Sequence, residues 1–167
     1  MTLRAIVIMP EGTYGAEPGK PYLISADTHL GLARGVGINY WERVNPPAGR
    51  AAGFTCLMDD DAMTRGLTIN PIAQRVMAYP TSYNIRGPVA FLSETDDGDG
   101  PHFISLQSGP KAWILGALGL YHGMELEELP KFKLRILPEA EREVPRFQLT
   151  RFNGTWDEVR KHLGDNL

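Results

Sequence analysis

Gly87-Pro88-Val89-Ala90-Phe91-Leu92-Ser93-Glu94-Thr95-Asp96-Asp97-Gly98-Asp99-Gly100-Pro101-His102-Phe103-Ile104-Ser105-Leu106 is the stretch that decides the fold. Gly87-Pro88 opens an apolar run from Val89 to Ser93, and His102 to Leu106 returns after a cluster of aspartates and glycines. Asx-Gly steps supply the positive φ that a tight hairpin needs. The segment therefore predicts two antiparallel strands. Working outward, Leu3 to Met9 reads as a first strand and Tyr22 to Ser25 as its return, across the glycine- and proline-rich loop Glu11 to Pro21. Ile38 to Val44 is aromatic and extended, Asn45-Pro46-Pro47 turns the chain, and Gly53 to Met58 is a further strand ending in Asp59-Asp60-Asp61, a solvated turn.

Helices are marked by their caps. Asp27 and Thr28 are N-cap residues for a first helix through Leu30, Ala33 and Arg34, stopped by Gly35 and Gly37. Gly31 inside it costs about 1 kcal/mol relative to alanine, so packing must hold it. Asn70-Pro71 starts a second helix, with proline at the first helical position, where its missing N–H costs little. Lys111 to Tyr121 is a third helix, apolar on nearly all sides, and Glu125 to Leu129 a short acidic turn. Lys131 to Ile136 alternates as a half-solvated strand, Arg146 to Phe152 is its partner, and Thr155-Trp156-Asp157-Glu158 is a capping box opening a helix from Trp156 to Leu163. These elements predict an α+β fold: one domain over 1–167, mostly antiparallel sheet with three to four short helices.

Composition narrows the function classes. With 43% hydrophobic and 22% charged residues in 167, the chain is an ordinary globular one that needs no disulfide or metal to fold. Its single cysteine, Cys56, allows no internal disulfide and fits a reducing, cytoplasmic setting. The run Ala5 to Met9 is too short for a signal peptide's apolar region. Ala112 to Tyr121 falls short of the roughly 20 apolar residues that a membrane span needs. A net charge of −3 argues against nucleic acid as partner.

Each group with reactive potential has a plainer reading beside it. Asp96, Asp97 and Asp99 lack the distal glutamate of a calcium loop, so hairpin chemistry accounts for them. Asp59, Asp60 and Asp61 read as a wet strand end in preference to a magnesium site. His29, His102, His122 and His162 stand at no zinc spacing. Cys56 sits in an alternating strand and reads as a small buried residue. No phosphate-loop, dinucleotide or nucleophile-elbow pattern occurs. No metal or cofactor is expected. Arg34, Arg43, Arg65, Arg75 and Arg86 are available for a phosphate-bearing ligand. Trp113, Leu115, Gly116, Gly119 and Tyr121 form either a core helix or a surface for a homodimer or another partner.

Three blocks carry a family resemblance. They are Thr28 to Gly37 running into Tyr40-Trp41-Glu42; Cys56-Leu57-Met58-Asp59-Asp60-Asp61 followed by Gly66-Leu67-Thr68-Ile69-Asn70-Pro71-Ile72-Ala73; and Ile85-Arg86-Gly87-Pro88-Val89-Ala90-Phe91-Leu92 followed by Asp96-Asp97-Gly98. In this order they resemble the DUF3846 family of uncharacterised small proteins, over roughly residues 3–106. The Asn-Pro-x-Ala piece is the most specific part. The loop from Pro10 to Pro21 is longer than the family's usual connection, and residues 107–167 read as an extension packing on the rest. The resemblance implies a phage or plasmid accessory protein inside the host cell, and supplies no reaction and no catalytic residue.

Three functions follow as expectations. The first is a non-enzymatic accessory protein, of host-takeover or anti-defence type, that binds a host protein. The second is a protein that binds or sequesters a small nucleotide-like ligand through Arg34, Arg65, Arg75 and Arg86. The third is a hydrolase using His102 and the neighbouring aspartates.

Overall fold

The computed structural model describes residues 2–11, 17 and 19–132. Along the chain run β1 (Leu3–Ile8), β2 (Pro21–Ala26), α1 (His29–Gly35), β3 (Trp41–Val44), α2 (Pro47–Ala52), β4 (Thr55–Asp59), α3 (Pro71–Met77), β5 (Val89–Asp96), β6 (Pro101–Ile104) and α4 (Ser108–Ala117). The strand at 131–136, its partner at 146–152 and the helix at 156–163 fall outside the described residues, apart from Lys131 and Phe132. The fold is α+β: a six-stranded sheet in the order β2-β1-β5-β4-β3, with β6 pairing the far end of β5. All these strand pairs are antiparallel. Among the described residues no helix is long and apolar enough to cross a membrane.

The apolar runs in β1 and β5 have a physical cause: the sheet is covered on both faces. Strand side chains alternate, so Ile6, Ile8, Val89 and Phe91 face one way, into a cluster with Ala73, Val76 and Met77 of α3 and Ile114 and Leu115 of α4. Leu3, Ala5, Val7, Ala90 and Leu92 face the other way, against Leu32 and Ala33 of α1. Full burial of one such large side chain contributes roughly 1.5–3 kcal/mol relative to exposure, which is why the two central strands tolerate almost no polar residue in their paired halves.

The caps form as their residues dictate. Thr28 Oγ1 accepts from the Gly31 amide at 3.0 Å, and Asn70 Oδ1 from the Ala73 amide at 3.2 Å. Asn70 also ties α3 to the sheet, its amide nitrogen donating to the carbonyls of Ile8 at 3.0 Å and Gly87 at 2.9 Å. One turn later Gln74 donates to the Pro80 carbonyl at 2.7 Å and accepts from the Ile85 amide at 3.0 Å. The Asn-Pro-x-Ala piece thus positions the chain before β5.

One segment departs from the expected turn at Asn45-Pro46-Pro47: Pro47–Ala52 is a helix, α2. Pro47 takes the first helical position, three alanines favour the helix, and Gly53 ends it with φ +89. A proline pair that reads as a turn is here the entry to a helix.

Candidate functional site

The aspartate turn after β4 is not the solvated end its composition suggests. Asp59 is fully buried and ion-paired with Arg65. Its carboxylate also accepts from the amides of Asn39 at 3.0 Å and Asp61 at 2.9 Å. The Arg65 guanidinium donates in turn to the Gly37 carbonyl at 3.2 Å. A buried carboxylate requires such company, since desolvation of an isolated charge costs several kcal/mol. The arrangement bends residues 59–66 back over the end of the sheet and joins it to the end of α1. Arg65, a candidate for phosphate binding, is engaged here. Glu42 and Asp60 stand close by, and burial first, then the charge and hydrogen bond of Asp60, then Asp59, push the Glu42 carboxyl above its ordinary range.

On the α1 face of the sheet, residues distant in sequence form an aromatic group. The His29 ring lies edge-to-face on Trp41, with centroids 4.7 Å apart, and 5.3 Å from Phe103. Trp41 and Phe103 are 6.0 Å apart. The Arg43 guanidinium sits over Phe103 at 4.8 Å. It donates to the Pro101 carbonyl at 2.9 Å and lies 3.5 Å from the Glu94 carboxylate. Burial, and secondarily Arg43, hold His29 below the usual imidazole range. Phe103 is buried and Trp41 is 37% exposed. Trp41 and Phe103 are no site candidates by sequence, because their contact depends on how the β5–β6 hairpin lies relative to β3. The one legible signal is that Trp41 and Arg43, two apart on a strand, share a face.

The remaining predicted residues lie apart. Arg34 and Arg75 are exposed in the last turns of α1 and α3, which pack on opposite faces of the sheet. The Arg86 guanidinium donates to the Leu67 carbonyl at 3.0 Å. Arg34 and Arg75 therefore do not share a site with each other, and Arg65 and Arg86 hold backbone carbonyls. His102 Nε2 is 3.7 Å from the Asp97 carboxylate and Nδ1 is 3.3 Å from the Gly100 oxygen, with His102 and Asp97 exposed on the hairpin. Asp96 and Asp97 side chains accept from the amides of Gly98 and Asp99 at 2.9 and 3.3 Å, so they shape the turn. Cys56 is fully buried, and burial pushes its thiol well above the ordinary value. Among the described residues no group of three or more histidines, cysteines and carboxylates is placed to hold a metal ion.

The α4 candidates divide. Leu115 is buried in the core beside Ile114, a correction to its candidacy as an interface residue. Gly116 admits no outside backbone: its open side is filled by the chain's own His122, whose Nε2 would lie 2.6 Å from a Cβ there. Gly119 is exposed just past the helix end, with φ +74. Trp113 rests on Phe54, with centroids 5.6 Å apart, yet stays 40% exposed, and Tyr121 is 77% exposed.

The described molecule is thus an antiparallel α+β protein whose buried polar side chains largely hold backbone and whose aromatic residues include several at the surface. Set against protein families, curated proteins and solved structures, the chain matches none.

Proposed function

We propose that this chain is a non-enzymatic accessory protein of a phage or plasmid, acting inside the host cell by binding a host protein. The exposed rings of Trp113, within α4, and Tyr121, in the chain that follows it, carry the reading. The helix spends Ile114 and Leu115 on the core and leaves Trp113 partly in water, and Tyr121 stands largely in water beyond it. Tryptophan and tyrosine are enriched among the residues that dominate protein–protein binding energy, because each offers a large apolar body with one polar atom. The uses of the buried polar groups support the same reading: Asn70, Gln74 and Asp59 each hold backbone amides or carbonyls. The resemblance to DUF3846 supplies the mobile-element setting. Affinity capture with the tagged chain in host lysate at low salt is the test. Recovery of one stoichiometric protein is expected; repeated recovery of none contradicts the proposal.

A further inference from the structure

The sequence holds two Asp-Gly steps, Asp97-Gly98 and Asp99-Gly100, both in the turn between β5 and β6. Such a step can cyclise, because glycine carries no Cβ to keep its amide nitrogen from the neighbouring carboxyl carbon. The two steps are alike in sequence and differ in the fold. At the first, both reacting groups are held. The Gly98 amide donates to Asp96 Oδ1 at 2.9 Å. Asp97 Oδ1 accepts from the Asp99 amide at 3.3 Å, and Asp97 Oδ2 lies 3.7 Å from His102 Nε2. At the second, neither the Asp99 carboxylate nor the Gly100 amide makes a hydrogen bond or ion pair among the described residues. Asp99 is exposed. Gly100 has φ +97, so the turn itself calls for glycine at the position that leaves the step reactive.

We propose that Asp99 is a site of spontaneous isomerisation in the folded chain, and that the hydrogen bonds around Asp97 protect its twin. The Gly100 amide nitrogen attacks Cγ of Asp99. A Cγ–N bond forms, a Cγ–O bond breaks, and the carboxyl hydroxyl leaves with the amide proton as water. Water then opens the cyclic imide. Attack at Cγ breaks the new Cγ–N bond and restores aspartate. Attack at the main-chain carbonyl breaks the original peptide bond and leaves isoaspartate, with Gly100 joined through Cγ. Water is lost and regained, so no oxidant or other reactant is needed. The same chemistry at Asp97 must first release the Gly98 amide and the Asp97 carboxylate from their partners, which takes a local opening of the turn. The product adds a methylene to the main chain inside the turn that sets the register Asp96↔Pro101 and Thr95↔His102. Loop length fixes hairpin register, so conversion at Asp99 strikes the pairing that brings Phe103 to His29 and Trp41.

Ageing the full chain at neutral pH in heavy-oxygen water tests this. Each opening of the imide leaves a heavy oxygen on the residue that reacted, whether it ends as aspartate or isoaspartate. Digestion with trypsin in ordinary water releases residues 87–111 as one peptide holding both steps, and fragment ions that break between Asp97 and Asp99 assign the label. Asn153-Gly154, which reaches the same imide by losing ammonia, falls in another peptide. In the folded chain Asp99 should gain label several-fold faster than Asp97. In urea, where the turn is gone, the two rates should become closely similar. Asp96→Ala, an exposed substitution that frees the Gly98 amide, should raise labelling at Asp97 several-fold and leave Asp99 largely unchanged, with thermal unfolding as the folding control. Should that variant fail to fold, the comparison of folded and urea-unfolded wild type decides alone. Equal labelling of the two residues in the folded chain, faster labelling of Asp97, or no label at either overturns the proposal. So does a preference for Asp99 that persists undiminished in urea, or a folded Asp96→Ala chain whose Asp97 reacts no faster.

Discussion

Asn70 reaches across 62 positions of sequence to place its side-chain amide 3.0 Å from the carbonyl of Ile8. The same nitrogen serves Gly87, and the oxygen of the same side chain caps α3. One residue therefore fixes the end of β1, the entry to β5 and the start of a helix. Asn70→Ala should lower unfolding stability by about 3 kcal/mol or more, since it leaves two buried carbonyls and one amide without partners, each costing about 1–3 kcal/mol. Asn70→Asp keeps the cap but turns an acceptor toward both carbonyls, and should be at least as damaging. Urea denaturation of the two variants checks both expectations.

Arg65→Met should cost about 3 kcal/mol or more, because Asp59 remains buried with two amide donors and loses its cation. Asp59→Asn combined with Arg65→Met should recover part of that loss, since no unbalanced charge is then buried. A double-mutant cycle by denaturation measures the coupling. Near-additive effects would show that the pair is not coupled as the structure implies.

Gly49→Ala should destabilise strongly. A Cβ there would overlap the Phe54 carbonyl oxygen, which is main chain and cannot swing away. The amides of Gly53 and Phe54 both donate to the Gly49 carbonyl, at 2.8 and 3.1 Å, so relieving the overlap loosens the exit from α2 into β4. The substitution should lower Tm by several degrees, although alanine is normally the better helix former. An unchanged or raised Tm would contradict this tight exit.

Two groups give the stability a pH dependence of opposite sign. His29 titrates below its ordinary 6.5 in the folded chain, through burial first and Arg43 second. The unfolded chain therefore binds that proton more readily, and the contribution of His29 to stability, full above about pH 6.5, is lost as pH falls toward the folded value. His29→Phe, which keeps a ring against Trp41 and Phe103, should flatten this acid limb in a Tm-against-pH series. Glu42 titrates above its ordinary 4.5, through burial first and then Asp60. Its contribution is full below about pH 4.5 and is lost as pH rises through the folded value. Glu42→Gln should therefore exceed wild type in Tm at pH 7 and converge with it near pH 4.

What the sequence made legible was local. Thr28 and Asn70 announce their helices because a cap is a contact between residues three apart, and the Asp-Gly turn announces its hairpin for the same reason. Pro46-Pro47 misled, since proline favours both a turn and the first helical position, and only the alanines that follow decide between them. Asp59 misled more deeply. A run of three aspartates reads as wet, and the first is buried only because Arg65, six positions later, folds back onto it with the amides of Asn39 and Asp61. The group of His29, Trp41, Arg43 and Phe103 was the least legible, because it exists only once three segments, α1, β3 and β6, are brought together.

Pairwise capture with wild type and the Trp113→Ala/Tyr121→Ala variant tests the central claim most directly, with both proteins first shown to unfold at closely similar denaturant concentrations. The account predicts that wild type retains a host protein at one-to-one stoichiometry and that the variant, equally folded, retains little of it. Equal retention by the two, with stability matched, would contradict the assignment of this surface.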